Sequence, residues 1–206
     1  MNARRTARLL AFSCLAAAEA VPAAQIQATV TGADGKPVAQ AVVTLKPTGN
    51  IPVPEGNPKS VVMDQVDKEF VPMVVPVQAG GAVSFPNRDN IRHHVYSFSA
   101  PKTFELKLYS GVPSKPVVFD KPGVITLGCN IHDWMVGYIF VADTPWFAKT
   151  GADGTASIDA PAGEYTVRVW HPWSSAIAEQ KVRADAAPAR LAFRLSVVPP
   201  PVPARK

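Results

Sequence analysis

Proline and glycine break this chain into pieces too short for helices to dominate: 21 prolines and 13 glycines are spread over 206 residues. Between them lie short runs rich in valine, isoleucine, threonine and aromatic residues, and amphipathic helical repeats are scarce beyond the first two dozen positions. The pattern reads as all-β sandwich material, because β-branched side chains suit a pleated, half-buried surface and turn residues set the strand ends. Strands are predicted over 25–31, 41–46, 61–65, 73–77, 82–85, 94–98, 102–108, 116–120, 123–127, 136–141, 155–159, 165–170 and 190–195.

The first segment is a separate matter. Arg4, Arg5 and Arg8 precede an apolar run from Leu9 to Ala18, followed by small residues. That is a secretory signal pattern over residues 1–24, and the run is too short to span a bilayer. Cleavage after Ala20, Ala23 or Ala24 each places a small residue at the last position. The expected location of the mature chain is the periplasm. Three basic residues and one acidic residue lie before Gln25, so the remainder keeps +3 of the formal +5 charge. Such a mild surplus is no nucleic-acid footprint.

Cys14 goes with the signal, which leaves Cys129 as the single cysteine in an oxidising compartment. A lone thiol there is either buried and inert or bound to something that protects it. Its neighbours favour the second reading. Cys129-Asn130-Ile131-His132-Asp133-Trp134-Met135 places a thiolate, an imidazole and a thioether within seven residues. These soft donors suit copper, and a His₂Cys set with a weak axial methionine is the blue-copper arrangement. The second histidine has to come from elsewhere, and only four histidines exist. His93 and His94 follow Pro86-Asn87-Arg88-Asp89-Asn90-Ile91-Arg92. Alternate strand residues face opposite sides, so only one of the two points at Cys129. Sharing a side with Tyr96 and Phe98 favours His94, and the residues alone leave the choice open.

The run Val75-Pro76-Val77-Gln78-Ala79-Gly80-Gly81-Ala82-Val83-Ser84-Phe85-Pro86-Asn87 resembles the opening pattern of cupredoxins. Asn87 to His93 is similar to the asparagine-to-histidine stretch of amicyanin, and Cys129-x2-His132-x2-Met135 has that subgroup's short ligand loop. The wording around both looks like plastocyanin-like proteins often labelled methylamine utilisation proteins. The resemblance covers residues 58–143 and implies a Greek-key cupredoxin sandwich. It also implies one type 1 copper on His93, Cys129, His132 and Met135. His132 would then be the electron exit, with Trp134 or Val136 as docking contacts, and His94 stands where cupredoxins usually have a steadying asparagine.

A second pattern surrounds the first. Val30-Thr31-Gly32-Ala33-Asp34-Gly35-Lys36-Pro37 opens it, and it returns at Lys149-Thr150-Gly151-Ala152-Asp153-Gly154 and Pro161-Ala162-Gly163-Glu164-Tyr165. These segments resemble a carboxypeptidase regulatory-like, transthyretin-related β-sandwich of Ig-like type. The expected organisation is a discontinuous sandwich, 25–57 plus 144–196, with the cupredoxin nested inside it and a proline-rich tail at 197–206.

Other chemistries find little footing. A binuclear copper centre needs two bridging cysteines, and a trinuclear oxidase cluster needs more than four histidines. Cys-His-His-Met matches closed zinc sites poorly, and no phosphate-binding glycine loop is present. His171, in Trp170-His171-Pro172-Trp173, reads as a packed strand terminus or an exposed contact surface, and Met63 and Met73 read as core. The expected function is non-enzymatic one-electron transfer with redox protein partners, a dehydrogenase, cytochrome or oxidase, without nucleic acid or stable membrane insertion. The alternative is a binding or copper-delivery module on the same scaffold.

Overall fold

The computed structural model describes residues 23–54, 58–113 and 115–201. The signal-peptide reading of residues 1–24 lies outside these, apart from Ala23 and Ala24, as do the last five residues of the proline-rich tail. The described residues hold strands, turns and bends, with no α-helix, and thus no helix long and apolar enough to cross a membrane.

In chain order the strands begin with β1 (Ala23–Gly32), β2 (Val42–Pro47), β3 (Val61–Val62), β4 (Asp64–Val66), β5 (Glu69–Val71) and β6 (Val74–Gln78). Next come β7 (Gly81–Ser84), β8 (His93–Ser99), β9 (Lys102–Tyr109), β10 (Val117–Phe119), β11 (Gly123–Cys129) and β12 (Val136–Ala142). The chain ends with β13 (Phe147–Lys149), β14 (Thr155–Pro161), β15 (Gly163–Trp170), β16 (Ala178–Ala184) and β17 (Ala189–Leu195).

Two cores organise them. Sheets ordered β14-β1-β17 and β13-β2-β15-β16 contribute Ile26, Val30, Leu45, Tyr165, Val167 and Phe193 to one. The five-stranded sheet β6-β12-β11-β8-β9 and the three-stranded sheet β10-β7-β3 contribute Met63, Phe85, Phe119, Ile125, Leu127 and Ile139 to the other. The chain leaves the first core after β2, builds the second, and returns at β13.

Alternation explains which faces are buried. Along β15, Tyr165, Val167 and Val169 are buried and the residues between them are partly exposed, the period of a half-covered strand. On β12 two of the outward residues, Tyr138 and Phe140, are aromatic and only partly exposed because they meet Trp170 of β15, at 6.1 Å and 5.3 Å between ring centroids. Beside these rings the Lys149 Nζ donates to Gln40 Oε1 at 3.0 Å and to the Val74 carbonyl at 2.8 Å, tying β13 to the start of β6.

The pentapeptide Thr-Gly-Ala-Asp-Gly occurs twice, at 31–35 and 150–154, and makes the same turn both times. The Gly35 and Gly154 N–H groups donate to the carbonyls of Gly32 and Gly151, each at 3.0 Å. Asp34 and Asp153 Oδ1 accept from the N–H two residues on, at 3.1 and 3.0 Å. With φ of 79° and 73°, the closing glycines sit in the left-handed region that glycine enters without steric cost.

Three strands go beyond the sequence expectation. β5 and β13 have three residues each. β16, Ala-Glu-Gln-Lys-Val-Arg-Ala, contains good helix formers and is a strand because it pairs with β15 at the sheet edge, Gly163 opposite Ala184 through Val169 opposite Ala178. Tertiary pairing outweighs local propensity there.

His171 is buried beyond the end of β15, its Nδ1 accepting from the Trp173 N–H at 3.2 Å. Burial holds its pKa below the ordinary histidine value, with a hydrogen bond to the Ala39 backbone opposing. The unfolded chain takes up a proton near pH 6.5 that the folded one resists, so this contribution to stability is full above that pH and shrinks as pH falls below it. Thermal unfolding midpoints are expected to fall between about pH 7.5 and about pH 5.5, and His171→Asn is expected to reduce that fall.

Candidate metal centre

The centre forms where two neighbouring strands end. Cys129 closes β11 and pairs with Val95 of β8, while His93 opens β8 two residues earlier. The pairing register with β9 shifts by one residue there, His93 lying opposite Tyr109 and Val95 opposite Leu106, so the extra residue belongs to β9 and β8 keeps its alternation. Here His93, Val95 and Ser97 face inward and are buried, and His94, Tyr96 and Phe98 face outward. His132 comes from the Asn130–Met135 loop between β11 and β12, a loop tightened by the Met135 N–H donating to the His132 carbonyl at 3.0 Å.

Three side chains converge. The Cys129 Sγ lies 3.8 Å from His93 Nδ1 and 3.9 Å from His132 Nδ1, and one donor atom from each residue falls within 4.8 Å of the others. All three are buried, at 4%, 0% and 8% exposure for Cys129, His93 and His132. An ion bound at about 2.0–2.3 Å from each donor, at trigonal angles, sets such donors roughly 3.5–4 Å apart. The donor set therefore fits one soft or borderline transition metal. Met135 is buried in the same core at the end of the loop.

The surroundings orient the His93 ring: its Nε2 donates to Asp89 Oδ2 at 2.7 Å, and its Nδ1 is the nitrogen turned to the sulfur. Asp89 is itself clamped: its two oxygens accept from the N–H groups of Asp67, at 2.7 Å, and Lys68, at 2.9 Å. Those donors belong to the two-residue turn between β4 and β5, where both residues have positive φ. Burial acts to raise the Asp89 pKa, and the hydrogen bonds from His93, Lys68 and Asp67 outweigh it and hold the carboxyl below its ordinary range. Burial lowers the pKa of His132, helped by the nearby His93 and Lys68 and opposed by Asp89, which favours the neutral, ligating form.

Asn87 braces the loop that presents His93. Its Nδ2 donates to the carbonyls of Ile91, at 2.8 Å, and Tyr109, at 2.9 Å, and its Oδ1 accepts from the Asp89 N–H at 3.0 Å. Beneath it Tyr109 donates to the Phe85 carbonyl at 2.7 Å and is pushed up to about 12 by burial.

The structure thus brings His93, Cys129 and His132 together and sends His94 to the other face. His94 Nε2 lies 2.9 Å from Glu105 Oε1, and its Nδ1 is 3.3 Å from the Asn130 side chain, so it braces the ligand loop from outside. His171 and Met63 take no part. Asp89 and the Asp67–Lys68 turn escaped the sequence reading. Their one signal was an acidic residue four positions before a histidine, which is too common to stand out.

No family model and no curated protein sequence matches the chain. Among solved structures it is similar to a copper-containing nitrite reductase from Thermus scotoductus, 26% identical over 40% of this chain, with a TM-score of 0.38. This chain spans only 22% of that reductase. A purple cupredoxin from Nitrosopumilus maritimus is 21% identical over 39% of this chain and 96% of its own, with a TM-score of 0.35. An oxidised amicyanin variant is 15% identical over 50% of this chain and 99% of its own, with a TM-score of 0.36. The structural neighbours of this all-β chain are cupredoxins.

Proposed function

We propose that the chain holds one copper ion through His93, Cys129 and His132, with Met135 as a weaker fourth donor, and serves as a periplasmic one-electron carrier. The convergence of one cysteine sulfur and two imidazole nitrogens, all buried, carries this reading. Copper supplies a one-electron couple, which none of the side chains provides alone. The residues' part is to keep the site dry and stiff. Cys129 and His93 sit at the ends of paired strands, so their positions are set by the sheet. Asp89 and the Asp67–Lys68 N–H groups hold the His93 ring, and Asn87 holds the loop beneath it. His132 lies closest to solvent of the three, flanked in the chain by the exposed Ile131 and followed by the exposed Val136. This edge is where a redox protein would dock, with the dehydrogenase, cytochrome or oxidase left to be identified. The sandwich built from 25–57 and 144–196 carries the copper unit as a nested domain, and the protein is not itself an enzyme.

The test is a copper(II) titration of the purified mature protein, followed by visible absorption and EPR, beside Cys129→Ser. An intense thiolate-to-copper band with narrow hyperfine splitting is expected at one equivalent, and its loss in Cys129→Ser. No band at one equivalent overturns the electron-carrier reading.

The clamp on His93 gives a second measurement. Asp89→Asn places an amide group where two backbone N–H donors already point, so His93 loses its anchor. Competition titrations are expected to show copper affinity reduced about 10–100-fold, the range for partners that orient a ligand.

A further inference from the structure

β7 ends at Ser84, and the chain then turns toward His93 through Phe85 and Pro86, whose carbonyls have left the sheet and still need donors. Gln65, in the middle of β4, meets both of them. Its side chain is fully buried, a costly place for an amide that is not hydrogen-bonded. Nε2 donates to the Phe85 and Pro86 carbonyls, each at 3.2 Å, and to Tyr109 Oη at 2.5 Å. Tyr109 gives its own proton to the Phe85 carbonyl, so all three neighbours of this end of the amide are acceptors, which identifies it as the NH₂ end.

The backbone adds to the grip. The Gln65 N–H donates to the Pro86 carbonyl and the Arg88 N–H to the Gln65 carbonyl, both at 3.0 Å, and Asn87 pairs with Gln65 in a parallel bridge. One residue therefore holds four in a row, Phe85 to Arg88. Within and just after that stretch stand the two side chains that serve His93: Asn87 braces its loop and Asp89 holds its ring.

The hairpin that carries Gln65 also reaches the other half of the centre. Phe70 of β5 stands opposite Gln65 and packs on Gly137, where an added Cβ would come within 2.8 Å of the Phe70 Cβ. Gly137 lies two residues past Met135, just beyond the loop that carries His132. The hairpin's turn supplies the Asp67 and Lys68 N–H groups to Asp89, and Asp64 pairs with Arg88. One short hairpin is thereby fastened to both chain segments that bring histidines to Cys129.

We propose that Gln65 is a positioning residue of this centre. It acts through the Phe85–Arg88 backbone, which it fixes against the β4–β5 hairpin, and so sets where the His93 ring stands relative to Cys129 and His132. The inference deepens the copper reading and rests on it for its purpose, but the positioning belongs to the metal-free protein and is measured there. A buried amide that only completed hydrogen bonds would lower stability when removed and leave the ring as it was.

The reporter is the His93 Nε2–H, bonded to Asp89 at 2.7 Å. Its hydrogen exchange would be followed by NMR in the full mature chain without metal, and copper(II) affinity by competition titration. Gln65→Met keeps the length of the side chain and removes its donors. It is expected to speed exchange of the ring N–H about tenfold and to lower copper(II) affinity about tenfold, the low end of the range for groups that orient a ligand. Tyr109→Phe, which removes the hydroxyl shared by Gln65 and the Phe85 carbonyl, is expected to move both readouts in the same direction, and carries the test should Gln65→Met not fold. Ile125→Val trims the same core on β11 without touching the loop and is expected to leave both at parent values.

A Gln65→Met protein that melts earlier but keeps the parent's ring exchange and copper affinity would make Gln65 a stability residue and overturn the proposal. Equal acceleration of exchange in Ile125→Val would overturn it too. A parent chain that shows no copper band would sink the carrier reading instead, while the ring N–H still decides the positioning.

Discussion

In a copper(II) titration, His93→Ala is expected to lose the thiolate-to-copper band that His94→Ala retains. His93 is fully buried with Nδ1 3.8 Å from the Cys129 sulfur. Alanine there removes one of three converging donors and leaves the Asp89 carboxylate facing a cavity. Losing a ligand outright is expected to cost more affinity than the roughly 10–100-fold assigned to an orienting partner. His94, on the opposite face of β8, meets Glu105, Asn130 and the edge of Tyr96. Its removal loosens the outer brace of the ligand loop and leaves the donors in place, so the band persists with at most a small shift. Thermal unfolding of the metal-free proteins separates a lost ligand from a lost fold. A His93→Ala protein that keeps the parent's copper spectrum would overturn the assignment of the first nitrogen.

The second large effect concerns two turns with one sequence. Gly35→Ala and Gly154→Ala both force alanine into left-handed φ, at a cost of about 1–2 kcal/mol each. Beyond that they differ. A Cβ on Gly35 meets nothing within 4 Å, whereas one on Gly154 falls 2.5 Å from the Val30 carbonyl oxygen and 3.1 Å from the Val38 nitrogen. That backbone cannot give way cheaply. The Val30 carbonyl accepts from the Val38 N–H at 3.0 Å, and the Val30 N–H donates to the Gly154 carbonyl at 2.8 Å. Overpacking against a paired strand adds about 1–3 kcal/mol, so Gly154→Ala is expected to lose roughly 2–5 kcal/mol in total. Chemical denaturation of the two variants beside the parent checks the ordering, and equal losses would refute the packing argument. If the copper-binding core folds as a nested unit, the copper band of Gly154→Ala is also expected to survive denaturant in which the first sandwich has melted.

Much of the site was legible because it is local. Cysteine, histidine and methionine at spacings of three fit on one short loop whatever the rest of the chain does, and soft donors select their metal by chemistry. The repeated turn is local in the same way, since aspartate two residues before an N–H and a left-handed glycine are properties of a few bonds. Most strands announced themselves through β-branched runs between turn residues. β16 did not, because its Glu, Gln, Lys and Arg become strand only by lying along β15.

The choice between His93 and His94 marks where local reading ends. Alternation put His94 with Tyr96 and Phe98, correctly, but could not tell which face was inward, since the aromatic face is the outer one and partly exposed. By itself the sequence determined the ligand loop, the turns and the all-β character, because these depend on neighbours in the chain. Only the tertiary structure decided which histidine meets the sulfur, that the Asp67–Lys68 turn clamps Asp89, and that Gly154 is crowded where Gly35 is free. Each of those depends on which distant strand is packed against the residue, and a residue's sequence neighbours do not carry that information.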